Sequence, residues 1–251
     1  MSPQLAALAL VVLGALALTF YGLRAKRKKP RGTTVVPAFS GLANEVGRVA
    51  EEGATIHVAL GNGSVLQEEG IATIASLQGL VALTDLAAAY DTPPFITTSD
   101  PGTLLIAENQ MRDAYAKLGN LRNYRSGAVR YMAPDPVLYA AMAATLSGDE
   151  PVGTSVALGA FGQEVSLLTN AAQSKGAKLY GGATTAVGAA SLYPDIADDQ
   201  LALGERLFAG GAEVTDRPAL WASLSVEDLL RWLVIAGIVA AAGASLLGLG
   251  G

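Results

Sequence analysis

The residues best placed to do chemistry gather in short glycine-rich turns. They are Gly61-Asn62-Gly63-Ser64, Ser99-Asp100, Gly159-Ala160-Phe161-Gly162-Gln163-Glu164 and Gly181-Gly182. Gly61 and Gly63 have the G-x-G spacing with which a turn brings backbone N–H groups up to a phosphate. A dinucleotide fingerprint needs a third glycine at 66, where this chain has Leu66. No acid closes a second strand about twenty residues further on, and no Walker lysine follows any glycine turn. Two readings follow. Gly61, Asn62, Gly63, Ser64, Ser99 and Asp100 form a cofactor-binding edge for a nucleotide or small anion, or the turn merely lets a helix approach a strand. The structural reading predicts that Gly63→Ala lowers stability through its backbone angle.

Catalytic constellations are poorer. His57 is the single histidine and lies within an apolar run, Thr55 to Leu60, so a hydrogen-bonded core role is expected. One histidine and no cysteine cannot assemble an ordinary transition-metal site. Ser64 and Ser99 have no nearby base, and no G-x-S-x-G elbow occurs. Asp100, Asp135 and Glu164 would be the magnesium ligands, but no pattern supports them. No catalytic residue, metal or cofactor is assigned, and enzymatic activity is not the expectation.

These turns sit between alternating elements. Helices are read from Ser40 to Glu52, Glu68 to Tyr90, Pro101 to Leu118, Asp135 to Leu146 and Gln163 to Gln173. Strands are read at 55–60, 94–98, 127–132, 152–158 and 177–180, the last ending in Gly181-Gly182. A further amphipathic stretch runs from Gln200 to Phe208. Such alternation predicts an α/β domain: a Rossmann-like, doubly wound parallel sheet of about five strands. Ligands of such sheets bind beyond the carboxyl ends of the strands, where strand order reverses.

The ends of the chain read differently. Leu5 to Leu23 carries no charge and is just long enough to cross a hydrocarbon core of about 30 Å. Arg24, Lys26, Arg27, Lys28, Lys29 and Arg31 follow it, the reverse of a cleavable signal. Trp232 to Gly250 is a second apolar run, with Ala236, Ala240 and Ala244, then Gly237, Ala241 and Ser245, four residues apart. That spacing suits close packing of membrane helices. The expected organisation is a span and basic collar over 1–31, a cytoplasmic domain over 32–226 and a second span over 227–251. The positive-inside rule puts both termini outside the cell membrane.

Charge narrows the partners. Setting aside the collar, Arg231, Glu227 and Asp228 leaves 10 Lys and Arg against 20 acids in the domain. Such a surface repels phosphate backbones, so nucleic acid is not an expected partner. Thirty charges over some 195 residues is about 15%, well under the roughly 25% of ordinary soluble domains. The stretch from Ile71 to Tyr90 carries one charge, Asp85, and Val137 to Leu146 none. If their outer faces are exposed, they are docking surfaces. A lipid bilayer and a homo-oligomer or membrane complex are the expected partners, and membrane-anchored assembly the expected function. A nucleotide- or anion-binding domain is the alternative.

The terminal runs, the entry PAFSGLANEVGRVAEEGATIHVALGNGS, the strand end VALGAFGQE and the stretch LALGERLFAGGAEV together resemble a family of uncharacterised bacterial membrane proteins. The resemblance covers nearly the whole chain. It implies a span at each end of an α/β domain and implies no activity, substrate or site.

Overall fold

Along the first strand, Ile56, Val58 and Leu60 point to one side and His57 and Ala59 to the other, and all five are buried. A strand buried on both faces must be covered by helices on both, which is the condition for a parallel sheet. The computed structural model describes residues 36–67, 70–204, 206, 207 and 235, and shows that arrangement. Its elements are α1 (Pro37–Glu51), β1 (Thr55–Gly61), α2 (Gly70–Ala89), β2 (Phe95–Thr98), α3 (Pro101–Lys117), β3 (Val129–Tyr131), α4 (Pro136–Asp149), β4 (Val152–Ala160), α5 (Val165–Ser174), β5 (Lys178–Ala183) and α6 (Ala186–Leu192).

The five strands are all parallel and lie in the order β3-β2-β1-β4-β5. Helices α1, α2 and α3 build one core with Ile56, Val58, Leu60, Val156 and Leu158. Helices α4, α5 and α6 build the other with Ala59, Ala157 and Leu179. Strand order reverses between β1 and β4, so their carboxyl ends feed loops that leave to opposite faces. The α/β reading and its five-stranded parallel sheet therefore hold.

Several local readings are corrected. Helix α1 starts at Pro37 rather than Ser40, whose hydroxyl donates to the Pro37 carbonyl inside the first turn. Gly181 and Gly182 belong to β5 instead of ending it, because Leu192, Ile196 and Leu207 fill the space their side chains would take. Beyond Ile71 and Ile74 at its start, helix α2 does not present an apolar outer face: Ala75, Gly79 and Ala82 are buried between α1 and α3. Its lack of charge is explained by the domain's own core. It is also the one helix among the described residues long and apolar enough to cross a membrane, and burial accounts for that composition too.

The amino ends of the strands are closed by Glu45, which is 5% exposed. It accepts from Lys178 Nζ at 2.6 Å, from Arg48 Nε at 2.7 Å and from the Thr154 hydroxyl at 3.3 Å. Burial alone would raise its pKa, but the hydrogen bonds from Lys178 and Arg48 outweigh burial and hold it below the ordinary value.

The chain divides into two compact units, residues 34–215 and residues 1–33 with 216–251. The second unit, with both expected spans and the basic collar, lies outside the described residues apart from Ile235.

Candidate functional site

The site is the crevice where β1 and β4 end side by side. Gly61 adopts φ +74° and Gly159 φ +143°, both in the region that favours glycine. A Cβ on Gly61 would lie closer than 3.0 Å to the Ala160 carbonyl oxygen, and one on Gly159 would lie 2.5 Å from that of Leu60. These two glycines let the strands stay paired to their last residue. The backbone requirement expected at Gly63 thus falls two residues earlier, at Gly61.

All six residues of the sequence-derived edge are brought together, and most are engaged by other residues of the chain. Asn62 N–H donates to the Ala160 carbonyl at 2.9 Å, and its Nδ2 donates to the Glu164 carboxylate. Ser99 Oγ donates to the Gly61 carbonyl at 3.2 Å. Ser64 Oγ accepts from Leu66 N–H at 3.4 Å, and the Gly63 carbonyl accepts from Thr103 Oγ1 at 3.5 Å. Asp100 caps α3, accepting from Thr103 N–H at 2.7 Å and from its hydroxyl at 2.9 Å. Asp135 caps α4 in the same way through Leu138 N–H at 2.9 Å. Magnesium gains no support: among the described residues no three His, Cys, Asp or Glu side chains are placed to hold a metal ion.

Glu164 decides what the crevice can accept. One of its oxygens takes the Gly162 N–H at 2.7 Å together with the Asn62 amide. Those donors are the ones a phosphate would need, and a carboxylate of the chain already holds them. An incoming anion would have to displace that charge or bind beside it.

Below the crevice lies a buried polar chain that the sequence did not disclose. Ser155 Oγ is 3.3 Å from His57 Nδ1, and His57 Nε2 is 2.9 Å from Thr97 Oγ1. Thr97 Oγ1 is 3.3 Å from the Tyr139 hydroxyl, which receives the Gly61 N–H at 3.3 Å. His57 is stacked on Phe95 at 4.5 Å between ring centroids. Burial pushes its pKa down to about 3, so it is neutral, and pushes Tyr139 up to about 12. The expectation of a core histidine therefore holds. Tyr139 is the missed member, and no spacing marks a lone tyrosine in the first turn of a helix as a partner for a turn some eighty residues earlier.

A family model described as a domain of unknown function (DUF6754) matches residues 2–249. The chain belongs to that family. The match takes in both terminal apolar runs as well as the α/β domain, in keeping with a resemblance that spans the chain. No curated protein and no solved structure matches it significantly.

A second concavity, of about 520 Å³, lies at the opposite end of the sheet and is lined by Thr55, Asp91, Phe95, Arg125, Arg130 and Glu150, among others. Its charges are largely spoken for. Arg130 pairs with Glu150 at 3.5 Å, and Asn123 donates to Asp91 at 2.6 Å.

Proposed function

We propose that this chain is a membrane-anchored assembly protein. Residues 5–23 and 232–250 cross the bilayer, the basic collar holds the α/β domain in the cytoplasm, and the domain docks further copies or a partner complex. The observation that carries the reading is the outer face of α4. Leu138, Ala141, Met142 and Thr145 fall at i, i+3, i+4 and i+7, are all exposed, and include no charge. Unlike α2, this helix has no neighbour within the described domain over that stripe, and exposed apolar area of this kind marks protein contacts. The bound Glu164 carboxylate argues in the same direction, since it opposes an anionic ligand in the crevice.

The test is the mass of the detergent-solubilised complex. Wild type is expected to run as an oligomer or with a partner, and Met142→Arg to shift it to a smaller species without lowering its melting temperature. A monomeric wild type with nothing co-purifying would defeat the reading. The alternative, a nucleotide or small-anion site at Gly61–Ser64 with Ser99 and Asp100, has one observation in its favour: Asn62 Oδ1 is buried without a hydrogen-bond partner. A nucleotide that raises the melting temperature of the wild type would put that alternative first.

Topology is checked separately. The chain has no cysteine, so Ser2→Cys is expected to react with an impermeant thiol reagent on intact cells while Ser174→Cys stays silent. The opposite pattern would invert the orientation.

A further inference from the structure

We infer that the carboxyl end of the sheet is a lipid-facing surface, which rests the domain on the bilayer by insertion of an apolar rim; this rests on the membrane-anchored reading above. The rim is built from one position repeated around the fold. Ile71, Val137 and Val187 are each the second residue of their helices, α2, α4 and α6, and are 70%, 60% and 51% exposed. Leu105 and Leu167 occupy the early turns of α3 and α5, and Leu66, at 95% exposed, stands in the loop after β1. Because every one of these helices begins where a parallel strand ends, all six side chains lie at one end of the domain.

The other end differs. Lys117 ends α3, Arg122 and Arg125 lie in the connection to β3, Lys175 follows α5 and Lys178 begins β5. Acids stand among them, Glu45, Asp91 and Glu150, and Tyr90, Leu118 and Leu121 are exposed there too, so the amino ends carry mixed charge around a smaller apolar group, whereas six exposed apolar side chains ring the carboxyl ends.

The path of the chain says what covers the rim. Helix α1 runs against the strands: Phe39 lies beside Leu158 near the end of β4, and Arg48 Nη2 reaches the Gly153 carbonyl near its start, at 3.1 Å. Val36 therefore sits at the carboxyl end. At the other terminus Leu201 pairs in parallel with Gly181, and Gly204 N–H donates to the Ala183 carbonyl at 2.9 Å, so the chain also leaves towards the carboxyl end. Twelve residues, 24–35, separate the first apolar run from Val36. Fully extended they reach about 40 Å, so the end of the domain that carries the rim is the end tethered, within that length of chain, to the first expected span. A second copy does not fit the same surface. Two domains meeting rim to rim would point their chain ends at each other, whereas the spans of both copies must lie in one bilayer.

Among the described residues the charged groups near the rim are mostly acids, Asp100 and Asp135 at their caps and Glu164 in the crevice, with Arg206 the basic exception. Attraction to anionic headgroups is therefore not the driving force, and contact comes from apolar burial, which salt does not screen.

The absence of cysteine makes the test direct. Full-length Leu66→Cys, Leu105→Cys and, at the opposite end, Leu118→Cys are labelled with an environment-sensitive fluorophore and reconstituted in phosphatidylcholine vesicles. Labels at 66 and 105 are expected to be quenched several-fold more by lipid-borne nitroxide than by aqueous iodide, with the reverse at 118 and no change at high salt. Strong iodide quenching at all three sites would leave the rim in water and overturn the inference. Protection of 66 and 105 from both quenchers would mean that protein covers the rim, and would overturn it equally. Alkaline carbonate separates the two levels: release of the protein from the vesicles defeats anchoring itself, whereas a retained protein with an iodide-quenched Leu66 label defeats only the rim's contact with lipid.

Discussion

Gly61→Ala is expected to cost the domain about 2–5 kcal/mol. Two penalties combine. A residue with a Cβ pays roughly 1–2 kcal/mol to occupy the left-handed region, and Gly61 sits at φ +74°. The new methyl also meets the Ala160 carbonyl, and forcing an atom into filled space costs about 1–3 kcal/mol. That carbonyl cannot simply move aside, because it accepts the Asn62 N–H and belongs to β4. For a domain of this size the melting temperature should fall by roughly 10 °C. Gly119→Ala is the control: φ is +69°, but no atom lies within 4 Å of the added Cβ, so only the conformational penalty remains. Equal losses in the two variants would show that the close approach of β1 and β4 carries no energy.

Acidification should destabilise the protein through His57 by about 3 kcal/mol between neutral pH and pH 4.5. The histidine is fully buried, and burial lowers its pKa to about 3, against about 6.5 in an unfolded chain. Between those values the unfolded state takes up a proton that the folded state refuses. Stability therefore falls as pH drops below 6.5, and the loss levels off near pH 3, where the folded state also protonates. Glu45 adds a loss of the same sign at lower pH. Burial tends to raise its pKa but Lys178 and Arg48 hold it down, so its contribution is present above the unfolded carboxylate value and fades as pH falls through the folded one. His57→Gln isolates the first effect. Its stability at neutral pH will be lower, because Thr97 and Ser155 lose a partner, but its slope between pH 6.5 and 4.5 should be nearly flat. A slope equal to that of wild type in urea titrations would mean that His57 is protonated in the fold.

The candidate crevice illustrates why a motif reading stops short of chemistry. A glycine after a strand can answer to strand pairing as well as to a phosphate, and here Gly61 answers to Ala160. Asn62, Ser99 and Asp100 were identified as polar groups at the right edge of the sheet, and they are there. What they bind is mostly the chain itself: Glu164, the Gly61 carbonyl and the first turn of α3. Glu164 and Tyr139 reach the turn from about a hundred and about eighty residues away, a distance no local spacing encodes.

Local patterning was enough for the α/β class, the five strands and the end of the sheet at which polar turns would gather. Short apolar runs closed by glycine, alternating with helical periods, leave a parallel sheet with covered faces as the consistent solution. The same patterning was silent on which apolar helix would be covered. α2 and α4 read alike, each nearly free of charge, yet α2 is enclosed by α1 and α3 while α4 keeps Leu138 and Met142 in the open. That difference comes from strand order. The chain places α2 in the middle of its layer, and it carries α4 across the far face after β3. Burial of a helix depends on its neighbours in space, and those are chosen by the crossover from β3 to β4, which joins opposite sides of the sheet.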